Sequence, residues 1–248
     1  MLAAALPALD WPEPVEILNP GSETELVLIC DHASNHIPAE YRNLGVGEAD
    51  LTRHIAWDVG AAALTRALAR RLGAPAFLGT YSRLLVDLNR PFGSPTSMPV
   101  LSEATRIPGN QDLGPSEIER RRRRVFEPFH AAVAAFLDAR ETEGRRSRIA
   151  AIHSFTPVFL GISRPWHVGI LHDDEPAYAG RVMQGLARDP ALIVGENVPY
   201  QIDRESDYAI PVHGTDRGSP ALLIEIRNDL ISDAEGIRDW TRRLTAVL

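Results

Sequence analysis

The sequence predicts an α/β fold built on a mixed or mostly parallel sheet with helices on both faces. Three observations predict it. Short apolar runs such as Leu26-Val27-Leu28-Ile29-Cys30 and Leu222 to Ile226 alternate with stretches of helical periodicity such as Val59 to Leu72. Two of the strand-like runs end on polar clusters, Asp31-His32 and His153-Ser154. The 248 residues, 44% hydrophobic and 24% charged, suit a single soluble domain spanning 1–248.

Each element has its own warrant. Leu26 to Cys30 reads as a buried strand because it is apolar without alternation. Val59 to Leu72 places apolar residues at 59, 63, 64, 67, 68 and 72 with arginines between them, and Gly73 and Pro75 close it as a helix. Tyr81 to Leu88 predicts a second strand, broken at Asn89-Arg90-Pro91, and the Pro-, Gly- and Ser-rich residues 92 to 116 predict a long surface excursion. Ser116 and Glu119 form a capping-box pattern ahead of a helix whose apolar residues are Ile118, Val125, Phe129, Val133 and Phe136. The basic block Arg120 to Arg124 reads as its solvated face, and Pro128 as a kink. Strands follow at Ile149 to Ile152, His167 to Leu171 and Leu192 to Val194, with a helix over Glu175 to Arg188. Residues 195 to 220 look irregular; Leu222 to Ile226 is a strand and Ala234 to Val247 a closing amphipathic helix.

Composition excludes several functions. All 26 basic residues are arginine, so no lysine is available for a Schiff base, a general base or a phosphate-binding loop. A net charge of −7 argues against a nucleic-acid surface, which needs a positive face. The lone Cys30 rules out an internal disulfide or a cysteine-rich zinc cluster. No apolar run approaches the roughly 20 residues that span a bilayer. Met1 to Trp11 lacks a basic start and is interrupted by Pro7, so it is not read as a secretory signal, and the expected location is cytoplasmic.

The polar residues just past the strand ends are where an open α/β sheet binds its ligand. These are Asp31 to His36, Asp87 to Arg90 and His153-Ser154, and Glu225 lies embedded between Leu223, Ile224 and Ile226. A carboxylate within such a run is costly to bury unless it is paired, linked to a metal or catalytic. Two histidines and an isolated glutamate on neighbouring strands suit a metal hydrolase, in which the metal polarises a carbonyl and activates water while the glutamate moves the proton. The bland reading has the histidines capping strand ends and Glu225 pairing with Arg227.

Cys30-Asp31-His32-Ala33-Ser34-Asn35-His36-Ile37-Pro38, Trp57-Asp58-Val59-Gly60, Tyr81 to Arg90 and Ile224 to Asp229 together resemble the N-formylglutamate amidohydrolase family over roughly residues 17 to 247. That family is similar to the zinc carboxypeptidases and the aspartoacylase group. The resemblance implies one zinc ion and hydrolysis of the N-acyl amide of an acidic amino acid such as N-formylglutamate, a small-molecule substrate. It implies His32 and His153 as zinc ligands and Glu225 as general base. Where the carboxypeptidase-like pattern has a glutamate, three residues after the first histidine, this chain has Asn35, a poor ligand. Asp58 is the preferred substitute, and Asp31 the alternative, either as ligand or orienting His32. Asn89 and Arg90 match the motif that holds the substrate carboxylate, Arg83 would polarise the scissile carbonyl, and His213 is a further candidate to meet substrate. Arg83 could instead simply pair with Asp87. Two other readings stand beside the zinc amidohydrolase: a non-catalytic carboxylate-binding protein on the same scaffold, kept alive by Asn35, and an amidase of small acyl-peptides or cell-wall fragments. Oligomeric state is not legible.

Overall fold

The computed structural model describes residues 11–173 and 176–248. Seven strands form one sheet: β1 Val15–Leu18, β2 Leu26–Cys30, β3 Ala76–Gly79, β4 Arg148–Phe155, β5 Val168–Leu171, β6 Val194–Glu196 and β7 Ala221–Arg227. Their spatial order is β1-β3-β2-β4-β7-β5-β6. The central four, β3, β2, β4 and β7, are parallel, β1 pairs antiparallel with β3, and β5 antiparallel with β7. The mixed α/β sheet expected from the sequence is therefore present. Among the described residues no helix is long and apolar enough to cross a membrane.

The continuous apolar character of the central strands follows from burial on both faces. Along β2, Leu26, Leu28 and Cys30 enter one core while Val27 and Ile29 enter the other, as the two-residue period of a strand requires. Helices α1 Ala61–Leu72, α4 Pro176–Leu186 and α5 Ala234–Thr245 cover the first face through Leu64, Leu68, Tyr178, Val182, Trp240 and Leu244. The second face is covered by α3 Glu127–Thr142 through Phe129, Val133 and Leu137. The same alternation puts His153 on the face of Ile149 and Ala151, and Glu225 on that of Ala221 and Leu223, so both look toward the second core.

Three expectations need correction, and strand β1 was not anticipated. Tyr81 to Leu88 is not a strand. The place beside β2 is taken by Ala76–Gly79, whose four residues after the Gly73-Pro75 stop are too short to signal a strand. The later run is buried as turns, with Ser82 N–H donating to the His36 carbonyl and Arg83 N–H to that of Ala56. Strand β1 went unanticipated for the same reason of length. The Ser116–Glu119 capping box does not form, because Pro115 opens helix α2 Pro115–Arg121 from Gly114, two residues earlier. The arginine block is not wholly solvated: Arg121 is 1% exposed and binds Glu117, Asn110 and the Leu85 carbonyl, pinning the loop that leads to the site.

Other boundaries shift modestly. The third apolar run pairs as Val194–Glu196 rather than Leu192 to Val194, and residues 195 to 220 include a π-helical turn, Ala209–Gly214. Ahead of Pro128, residues Arg122–Phe126 form another π-helical turn, with Glu127 N–H reaching the Arg122 carbonyl; the proline is absorbed there without breaking the helix. Residues 1–10, on which the leader reading rests, and Glu175, the expected start of α4, lie outside the described residues.

Gly60 ties this frame to the site. It sits at φ +84° just before α1, and a Cβ there would come within 2.2 Å of the Ile231 carbonyl oxygen. Gly73 at the other end of α1 has φ +63° with nothing near. The left-handed conformation costs a non-glycine about 1–2 kcal/mol. Gly60→Ala should therefore destabilise the fold by about 2 kcal/mol or more, and Gly73→Ala by only about 1 kcal/mol. Urea unfolding of both variants checks this, and equal losses would mean that the Ile231 contact yields freely.

Candidate metal centre and active site

The carboxyl ends of β2, β3, β4 and β7 open onto a cavity of about 490 Å³. Its lining includes His32, Asp58, Arg83, Asp87, Asn89, Arg90, His153 and Glu225. His32 follows β2; His153 and Glu225 lie within β4 and β7 as directly paired residues of the parallel ladder. Asp58 comes from the loop before α1, fastened by its own N–H to the His32 carbonyl at 3.0 Å. Its carboxylate does not cap the helix. It turns inward, accepting from His153 Nδ1 at 2.9 Å and Ser154 N–H at 3.2 Å.

His32, Asp58 and His153 each offer a ligand atom, and these atoms lie within 4.8 Å of one another. All three residues are buried. His32 Nδ1 is 3.5 Å from Asp58 Oδ1 and has no hydrogen-bond partner, although it is withdrawn from water. The opposite nitrogens face carboxylates: His32 Nε2 donates to Asp87 at 2.7 Å, and His153 Nε2 stands 3.4 Å from Asp31. Carboxylates on the far side of two imidazoles fix tautomer and ring direction, the arrangement that accompanies metal-bound histidines. An orphaned inward nitrogen, oriented rings and a carboxylate between them fit a metal ion.

Burial and mutual charge set the protonation of the cluster. Burial alone would raise the Asp58 carboxyl, but His32 and His153 hold it well below the usual carboxylate range. Burial opposes a charged His153, yet Asp31 and Asp58 outweigh it and raise its pKa well above the ordinary value. Glu225 behaves oppositely. Burial pushes its carboxyl up to about 7, Asp58 adds to the rise, and His153, His32 and Arg83 oppose it. Glu225 Oε2 is buried without a partner, and Arg227 pairs with Asp229 instead. Gly169, the direct partner of Glu225 on β5, lets the 198 backbone pack closely against the sheet, since a Cβ there would come within 1.6 Å of the Val198 carbonyl oxygen.

Arg83 does pair with Asp87, Nε to Oδ2 at 2.9 Å, and also reaches Asp58 at 3.4 Å. Asp87 thus joins Arg83, His32 and the Asn89 N–H in one buried cluster. Asn89 holds the covering loop: its amide donates to Asp207 and accepts from the N–H groups of Tyr208 and Ala209. Arg90 lines the cavity and donates to the Ser206 carbonyl and to Asp207. Asn35 donates to the Leu51 carbonyl, outside the cluster. His213 is not in the cavity lining; it is buried against His130, 3.0 Å between ring nitrogens.

Ser154, Asp207, Tyr200 and Phe159 also shape the cavity. Only Ser154 had a sequence signal, its place beside His153 at a strand end. The other three lie in irregular segments or in the small hairpin Val158–Phe159 with Ile162–Ser163.

A family model described as N-formylglutamate amidohydrolase matches residues 24–232. The chain belongs to the N-formylglutamate amidohydrolase family. Its structure is similar to that of the gene product Atu2144 from Agrobacterium tumefaciens, with TM-score 0.91 and 36% identity over 95% of this chain and 93% of that one. It is also similar in fold to an N-formylglutamate amidohydrolase from Ralstonia eutropha JMP134, with TM-score 0.70 and 22% identity over 95% and 96% of the two chains. A search of curated proteins gives no match. Family membership makes the chain a member of an amidohydrolase family, with a small-molecule substrate implied.

Two predictions follow from the buried groups. His32→Ala and His153→Ala should each lose stoichiometric divalent metal, measured by elemental analysis after dialysis, while helical circular dichroism is kept. Full metal retention in both would sink the cluster as a metal centre. Burial lowers His130 to about 3 and His213 to about 4, with His213 further depressing His130. Both imidazoles should therefore stay neutral to pH 5, which their NMR ring resonances will report. Because the unfolded imidazoles protonate near pH 6.5, their share of stability is complete above that pH and lost as pH falls toward 4.

Proposed function

We propose that the chain is a zinc-dependent amidohydrolase that cleaves the N-acyl amide of an acidic amino acid, with N-formylglutamate as the type of substrate. The observation that carries this reading is the convergence of His32, Asp58 and His153 beside an unpaired Glu225 at the floor of a cavity that also presents Arg83 and Arg90. Two imidazoles and a carboxylate are a donor set typical of catalytic zinc. Bound there, the ion would supply Lewis acidity toward the acyl oxygen and lower the pKa of a water.

The chain's own residues do the rest. Glu225 Oε2, with a carboxyl poised at about 7, takes the proton of the attacking water and returns it to the leaving nitrogen. Arg83, aimed by Asp87, keeps further N–H donors for the oxygen on which negative charge develops. Arg90 offers a planar guanidinium to the substrate α-carboxylate, and Asn89 holds the loop against which Arg90 is braced. Asp31 and Asp87 keep the two imidazoles in direction. Asn35, the residue that favours a non-catalytic binder, is bonded to Leu51 while Asp58 supplies the carboxylate, so the catalytic reading is the better supported.

Glu225→Gln is expected to keep metal and substrate affinity and to lose about 10²–10⁴-fold in kcat. A loss under about tenfold would give Glu225 a structural role, and metal loss would make it a ligand. Removing metal with a chelator should abolish turnover of N-formylglutamate, and zinc should restore it. Arg90→Lys keeps the charge but loses the fork, so substrate binding should weaken by about 1–3 kcal/mol. Amidated substrates should fail with the parent enzyme, and equal turnover of amide and free acid would remove Arg90 from the carboxylate role.

A further inference from the structure

Beside its charged residues the cavity also has an apolar stretch of wall. Phe155, Phe159, Leu101 and Tyr200 line it, with Leu101 55% and Tyr200 43% exposed. In the hairpin, Phe159 and Ile162 are directly opposed, so their side chains stand on one face. Ile162, 71% exposed, therefore carries the apolar wall outward past the mouth. Apolar groups gathered at one opening mark a binding surface rather than the scattered exposure normal for any protein.

This wall is held in place by a buried cation. Arg164 is 8% exposed and makes no ion pair with a described residue. Its Nη1 donates to the Tyr200 hydroxyl at 3.0 Å. Its guanidinium lies 4.6 Å from the Phe159 ring centroid, 4.9 Å from that of Tyr200 and 5.9 Å from that of Phe155. Burying an unpaired guanidinium is costly, and the three ring faces offset the cost only while they stay where they are. The aromatic wall is thus preorganised, which reduces the ordering cost of binding. The cavity of about 490 Å³ falls within the roughly 300–1,000 Å³ range of sites that enclose drug-sized ligands. A formyl group, with one carbon, has no apolar chain to set against such a wall.

We propose that the wall of Phe159, Tyr200, Leu101 and Ile162 is an acyl subsite, and that the preferred substrates carry an apolar acyl chain or ring of several carbons on the amino acid nitrogen. The inference rests on the amidohydrolase reading above. It makes Phe159 and Ile162 specificity-determining residues and Arg164 a positioning residue that acts through the rings.

The test uses N-formyl-, N-acetyl-, N-butanoyl- and N-hexanoylglutamate with the full, zinc-loaded chain. Turnover is measured on the parent, and binding by calorimetry on Glu225→Gln. A buried methylene is worth about fourfold in affinity, so both binding and kcat/KM should rise by about tenfold or more from formyl to hexanoyl. Phe159→Ala should lower kcat/KM for the hexanoyl substrate about tenfold, and the surface change Ile162→Ser about threefold, with Ile162→Ser leaving the formyl substrate within about twofold. Arg164→Lys should show the same split between substrates, whereas a merely structural role would lower both alike. Formyl used as well as or better than hexanoyl overturns the proposal, as does a preference for formylated apolar amino acids over acylated glutamates. If no N-acyl amino acid is bound or turned over, the amidohydrolase reading falls and takes the acyl subsite with it.

Discussion

The burial of the Asp58 carboxylate is the constraint on which the rest of the site depends. A carboxylate withdrawn from water is tolerable only if cations or strong donors surround it. Here those are His153 Nδ1, Ser154 N–H and, more distantly, Arg83 and His32. The three side chains among them are in turn fixed by another acid, Asp31 behind His153 and Asp87 behind both His32 and Arg83. The result is a closed alternation of acids and bases in which no side chain can rotate without stranding a neighbour. Glu225 sits beside that alternation without a partner of its own, which is why burial governs it and why it alone of these acids has its carboxyl raised.

Register delivers these groups to one place. Parallel pairing of Arg148–Phe155 with Ala221–Arg227 sets His153 opposite Glu225, and a slip of one residue would send one of them into the opposite core. Such a slip would bury Ile224 or Ile226 against polar groups, so the hydrophobic pattern that holds the sheet also guards the active-site geometry. Gly60 guards the other half by letting the loop carrying Asp58 pass close under Ile231.

Much of this was legible in the sequence because it obeys local rules. The apolar run 26–30 ending in Asp31-His32, and Glu225 within Leu223 to Ile226, signal buried strands carrying polar groups that burial does not explain. Asp58 entered only through the family resemblance, as the carboxylate preferred where the pattern's glutamate is replaced by Asn35. What escaped depends on tertiary context. Tyr81 to Leu88 has strand-like apolarity because it is buried, but burial alone does not distinguish a strand from a packed loop. Arg121 looked like one of five solvated arginines, and only the fold shows it reaching the Leu85 carbonyl. Asp207, Tyr200 and Arg164 lie in segments without periodicity, so nothing local distinguishes them from ordinary loop residues. The placement of His213 against His130, rather than in the cavity lining, is likewise set by the packing of helix α3 on the sheet.

Gly169 gives the scaffold an uneven capacity to change. A single methyl group at this position would collide with the Val198 carbonyl, two residues before Tyr200 of the cavity wall, so the backbone there must shift to admit any side chain. The small hairpin, by contrast, is open to solvent at Leu160 and Ile162, which are 69% and 71% exposed. A side chain such as Ile162 can therefore change at little cost to the fold, whereas one added at Gly169 cannot. A lineage built on this scaffold can explore new ligands through rim substitutions alone, without passing through inactive forms.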